Sequence, residues 1–133
     1  MNTDTTLAEA DLTERVSGTF YAVYNELGHG FLESVYENSL ALALRGTGVA
    51  VVQQAPLRVD FREHTVGEFR ADLLVDDRLI VEVKAVSRLA PAHEVQLVNY
   101  LKVTGIRVGL LMNFGPHPQF KRRIFGATAF HPL

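Results

Sequence analysis

No cysteine occurs in the 133 residues, which rules out disulfides, zinc-thiolate centres and a cysteine nucleophile. Long apolar runs are missing too, since no stretch approaches the ~18 uninterrupted apolar residues of a membrane-spanning helix. The acidic segment from Met1 to Asp11 lacks the basic-then-apolar order of a signal peptide, so a cytoplasmic protein with no membrane partner is the expectation. Neither repeats nor low-complexity segments interrupt the chain. A strong charge of one sign is also absent. The formal net charge of −2 argues against electrostatic coating of nucleic acid. It leaves room for a local basic patch of Lys121, Arg122 and Arg123 with Arg70, Lys84 and Arg88, although a solvated charge run is the commoner case. His29, His64, His117 and His131 show no metal-ligand spacing, and Gly28, Gly30 and Gly115 read as caps and turns rather than a phosphate-cradling loop.

What is present is an ordinary globular composition, 47% hydrophobic and 21% charged, in a length that suits one domain over residues 1–133. Residues 1 to about 10 are expected to fray. Asp11 or Thr13 can cap a helix running to Leu27, with Leu12, Val16, Phe20 and Val23 at helical spacing. A second helix is predicted over about Leu32 to Arg45, closed by Gly46 and Gly48. Strands follow at Val49 to Phe61, Val66 to Val75 and Leu79 to Val86, with a turn at Arg62 to Thr65. Pro91 opens a helix to Thr104, and Val108 to Phe114 is a continuous apolar strand of the kind buried inside a sheet. A strand, helix, strand succession implies a crossover, so the order αα-βββ-α-β with a short tail strand near Phe120 to Phe125 predicts an α/β fold with a mixed central sheet flanked by helices.

Chemistry concentrates in the segment from Arg70 to Lys84, where two apolar runs flank a polar turn. If Asp76, Asp77 and Arg78 form the loop, Val75 pairs with Leu79 and Asp72 falls opposite Glu82, with roughly 5 Å between Cβ atoms. Lys84, two residues beyond Glu82, shares that face with Leu74 and Ile80. Phe69, Ala71, Leu73, Val75, Val81, Val83 and Ala85 fall on the other face by the same count. A two-residue loop would send the two carboxylates to opposite faces. Converging carboxylates form a hard oxygen site suited to Mg²⁺ or Mn²⁺, and an ammonium beside them can orient water or stabilise charge on a phosphoryl group. An exposed ladder of salt bridges is the competing account. The apolar character of both faces weighs against it, because charges in a covered sheet need a specific reason.

The run Gly30-Phe-Leu-Glu33-Ser-Val-Tyr36 resembles the signature of the GxxExxY family. Phe69 to Asp72, Ile80 to Ala85, Gln96 to Leu101 and Val108 to Gly115 are similar to that family's remaining blocks. The family in turn resembles the PD-(D/E)XK superfamily of restriction-endonuclease-like phosphodiesterases, which places an Asp on one strand and Glu-x-Lys on the next. The resemblance implies Asp72 and Glu82 as metal ligands, the Val83 carbonyl as a third, Lys84 as the catalytic lysine and Glu33 as a helix-borne acid beside the metal. Ala71 stands where the superfamily motif has Pro. Glu33 shares a helical stripe with Tyr36, Glu37 and Leu40; on the residues alone the preferred reading is a first-turn acid favoured by the helix dipole, and the resemblance moves it to the site. Gln96 and Tyr100 lie one turn apart where the superfamily often puts a substrate-touching side chain, though such groups also simply satisfy backbone. His93 precedes Gln96 by three, which would turn it to the same cleft, though a lone His near a helix start is usually solvent-exposed.

Three functions follow from these expectations. The first is a Mg²⁺- or Mn²⁺-dependent nuclease hydrolysing a nucleic-acid phosphodiester, DNA before RNA. The second is a non-catalytic module of the same fold that binds nucleic acid or a protein partner, as a homodimer through its apolar helices. The third is a metal-free acid/base enzyme using Glu33 and Glu82.

Overall fold

The computed structural model describes residues 5–126, with side chains from Glu9 onward. Residues 1–4, part of the stretch expected to fray, lie outside the described residues. Helix α1 (Thr5–Leu27) begins ahead of the predicted Asp11 or Thr13 start. It is followed by α2 (Glu33–Gly46), β1 (Val51–Phe61), β2 (His64–Val75), β3 (Leu79–Lys84), α3 (Pro91–Thr104), β4 (Val108–Asn113) and β5 (Gln119–Ile124). The strands form one sheet in the order β1-β2-β3-β4-β5. Only β3 and β4 run parallel, joined by the α3 crossover, and the other pairs are antiparallel. The mixed sheet flanked by helices is therefore the architecture observed.

Covering on both faces explains why β3 and β4 read as unbroken apolar runs. Phe20 of α1 and Tyr36, Leu40 and Leu44 of α2 pack on Leu73, Val75, Val81, Leu110 and Met112. Leu97, Tyr100 and Leu101 of α3 pack on Ala71, Ile80 and Leu111 from the opposite side. Contact between α3 and β4 is close: a Cβ added at Gly109 would lie 2.7 Å from Leu97 Cδ1. No helix among the described residues is long and apolar enough to cross a membrane.

Two expectations need correction. The β1–β2 turn is tighter than Arg62 to Thr65, because Arg62 and Glu63 both take positive φ and Phe61 pairs directly with His64. The face assignment along β2 also breaks. Ala71 belongs to the α3-side cluster and Phe69 packs against Tyr100 of α3, while Leu73 and Val75 face α1 and α2. The cause lies opposite, where Gln54 of β1 takes φ +52° and interrupts the alternation of the pleat between Gln53 and Ala55.

Candidate active site

The β2–β3 hairpin is closed by a loop without glycine. Asp76 and Asp77 take φ of 51° and 56°, a conformation Asp tolerates, and the Arg78 N–H donates to the Val75 carbonyl at 2.9 Å. Asp76 Oδ1 also accepts the Ala50 N–H at 2.8 Å, which anchors the loop to the start of β1. The ladder runs Val75 to Leu79, Leu74 to Ile80 and Leu73 to Val81, so Asp72 and Glu82 meet in the next positions.

There the side chains replace the backbone ladder. The Asp72 N–H donates to Glu82 Oε2 at 2.9 Å, and the Val83 N–H donates to Asp72 Oδ2 at 2.7 Å. Each carboxylate thus reaches across to the opposite strand. Lys84 follows at the partly exposed end of β3, with no ion-pair partner among the described residues. Its carbonyl accepts the Phe114 N–H at 2.7 Å, and Asn113 makes a two-point amide pair with the Val86 backbone at 2.8 and 2.9 Å. Gly115 completes this clamp, since any Cβ there would collide with the Val86 carbonyl oxygen.

A third strand and a helix enter through Gln54. Its Nε2 donates to Asp72 Oδ1 at 3.2 Å and to Glu37 Oε1 at 2.8 Å, and Gln53 Nε2 donates to Glu37 Oε2 at 3.0 Å. The α2 acid linked to the site is therefore Glu37. Glu33, one turn earlier, is exposed and makes no hydrogen bond or ion pair among the described residues. Tyr36 of the same motif is buried and structural. It stacks on Phe114 at 4.5 Å, donates to the Gly28 carbonyl and accepts the Phe31 N–H, locking the α1–α2 connection.

A family model for the PD-(D/E)XK nuclease superfamily matches residues 10–124. The chain belongs to this superfamily. No curated protein matches it. Among solved structures, the crystal structure of SSO0001 is similar with a TM-score of 0.57 at 17% identity, over 90% of this chain and 60% of that one. The crystal structure of an alkaline exonuclease from Laribacter hongkongensis gives a TM-score of 0.48 at 15% identity, over 67% of this chain and 53% of that one. This chain thus spans less than two thirds of either structure. The superfamily match and the SSO0001 likeness agree with the mixed sheet described above as a restriction-endonuclease-like fold.

PD-(D/E)XK nucleases are generally divalent-metal dependent, and the donors here suit such an ion. Asp72, Glu82 and the Val83 carbonyl offer only hard oxygens. Glu82 is 4% exposed. Burial first, then the Asp72 charge and more weakly Glu37, push its carboxyl from 4.5 to about 8, against the opposing pull of the Asp72 N–H and Lys84. A buried acid crowded by two others is the electrostatic setting that a cation relieves. Among the described residues no group of three His, Cys, Asp or Glu side chains converges as a metal cage. Two side-chain ligands and a carbonyl would leave coordination positions open for water and substrate.

The remaining predicted residues lie around this centre. Tyr100 is buried, and burial, then Glu82 and Asp72, raise its phenol. Gln96, one turn before it, is exposed on a groove beside α3. His93 is a capping residue whose Nδ1 accepts the Ala90 N–H at 3.0 Å. The basic run is partly neutralised, because Lys121 and Arg123 both bind Glu94 of α3 and hold its carboxyl below the usual range. Gln54, Glu37 and Asn113 were not singled out from the sequence. The only available signal for Glu37 was its shared stripe with Glu33.

Proposed function

We propose that this chain is a metal-dependent nuclease of the GxxExxY family, acting on nucleic acid in the cytoplasm, with DNA the preferred substrate. The observation that carries this reading is the crossing of the Asp72 and Glu82 carboxylates between adjacent strands, with Lys84 two residues further on. Asp72, Glu82 and the Val83 carbonyl would hold Mg²⁺ or Mn²⁺. Bound there, the ion supplies charge neutralisation and activation of water for in-line attack on phosphorus. Lys84 places an unpaired ammonium where negative charge develops on the phosphoryl oxygens. Gln54 holds Asp72 and Glu37 in register, so that the three acids keep one arrangement before substrate arrives. Glu37 takes the part of the helix-borne acid that the motif alone assigns to Glu33.

One observation favours a second reading, a non-catalytic module binding nucleic acid or a protein partner. Both carboxylates already accept backbone N–H groups and so have a structural use that needs no metal. Calorimetric titration of Mn²⁺ into wild type and Asp72→Ala separates the two. Binding that vanishes in the variant, with cleavage of nucleic acid lost alongside it, supports the nuclease. Wild type that neither binds Mn²⁺ nor cleaves in its presence supports the module.

A further inference from the structure

Between α3 and the β1–β2 hairpin lies a groove of about 490 Å³, within the range of small-ligand sites. On the hairpin side Phe69 leaves about half of its surface open (47%), and its ring stands 6.0 Å from that of Tyr100, tilted by 43°. On the helix side Gln96, Asn99 and Lys102 recur every third residue, all exposed and all without hydrogen-bond or ion-pair partners among the described residues. The groove thus pairs an uncovered aromatic ring, set among the apolar side chains of Val59, Ala92, Val95 and Val103, with free side-chain amides and a free ammonium.

Its position ties it to the acidic centre. Tyr100 lines the groove and lies within electrostatic reach of Glu82 and Asp72, and Phe69 precedes Asp72 by three residues on β2. A phosphate placed at Asp72, Glu82 and Lys84 would therefore carry its neighbouring nucleoside towards Phe69. In a duplex both faces of a base are stacked and its pairing edge is occupied, so an aromatic ring cannot stack on it and an amide reaches only its groove edges. An unpaired base offers a face to Phe69 and an edge to Gln96 and Asn99, while Lys102 meets a flanking phosphate.

We propose that this groove binds an unpaired nucleobase, so that the site takes single-stranded nucleic acid. The inference rests on the nuclease reading above for what lies beside the groove, and its test separates the two. Fluorescence anisotropy of the full chain in chelator, where cleavage is stopped, would compare labelled oligodeoxyuridylate, oligouridylate and a blunt duplex. The single strands are expected to bind at least about tenfold more tightly than duplex, and Phe69→Ala to weaken them by about tenfold or more. Val95→Glu, which sets a carboxylate on the exposed groove wall (Val95 59% exposed), should do the same without touching the core. The ratio of the two oligonucleotides identifies deoxyribose or ribose as the preferred sugar. Duplex binding equal to single-strand binding, or both variants binding as wild type does, overturns the proposal. If cleavage requires Asp72 but acts on duplex and ignores Phe69, this inference fails and the nuclease stands. If no Mn²⁺-dependent cleavage occurs while Phe69-sensitive binding persists, the nuclease reading fails and the groove stands.

Discussion

Replacing Glu82 by Gln removes an ionisation that the fold disfavours. The unfolded carboxyl titrates near 4.5 and the native one at about 8, raised first by burial and then by Asp72. Below the lower value both states are protonated and the native state carries no penalty. Between the two the native state keeps a proton that the unfolded chain has released, so stability falls by about 1.4 kcal/mol per pH unit and levels off above the native pKa. The ceiling on the total is about 5 kcal/mol over the whole window. For a domain of this size that corresponds to a melting temperature lower by roughly 10 °C or more at pH 8 than at pH 5. Thermal unfolding followed by circular dichroism in chelator measures it directly. Glu82→Gln should lose most of this slope, because an amide of the same shape has no proton to release. Excess Mn²⁺ should flatten the wild-type slope by favouring the ionised carboxylate. Parallel pH profiles for wild type and Glu82→Gln in chelator would refute the claim that burial controls this carboxyl.

Lys84→Ala removes a partly exposed ammonium with no ion-pair partner among the described residues, so its melting temperature should stay within a few degrees of wild type while Mn²⁺-dependent cleavage is lost. A Lys84→Ala protein that cleaves as wild type does would remove lysine from the mechanism. Asn113, 1% exposed, is different: Asn113→Ala strands both the N–H and the carbonyl of Val86, at a cost of about 2–4 kcal/mol by urea unfolding. A loss below about 1 kcal/mol would mean that water replaces the amide pair.

Much of the site was legible because its geometry is local. With the loop Asp76-Asp77-Arg78, the ladder from Val75–Leu79 to Leu73–Val81 followed from counting residues outward from the turn, and it brings Asp72 and Glu82 together at its end, where each carboxylate bonds the opposite strand. The order of elements and the covered, parallel β3–β4 pair were equally readable, since apolar periodicity and length distinguish buried strands from helices. Glu33 and Glu37, by contrast, lie on one helical stripe, and which of them reaches the strands depends on where α2 sits along its axis above the sheet. The face assignment along β2 failed where Gln54, a residue with no sequence mark of a kink, takes a left-handed conformation on the neighbouring strand. Lys121 and Arg123 looked like a free basic run until the fold set Glu94 beside them from 27 and 29 residues away. Sequence alone determined the order of elements and the hairpin that faces Asp72 with Glu82, because both are consequences of spacing over a few residues. Tertiary structure alone decided that Glu37 joins them, that Gln54 bridges them, and that Glu82 is buried enough to resist ionisation, because each depends on contacts between segments whose relative placement periodicity leaves open.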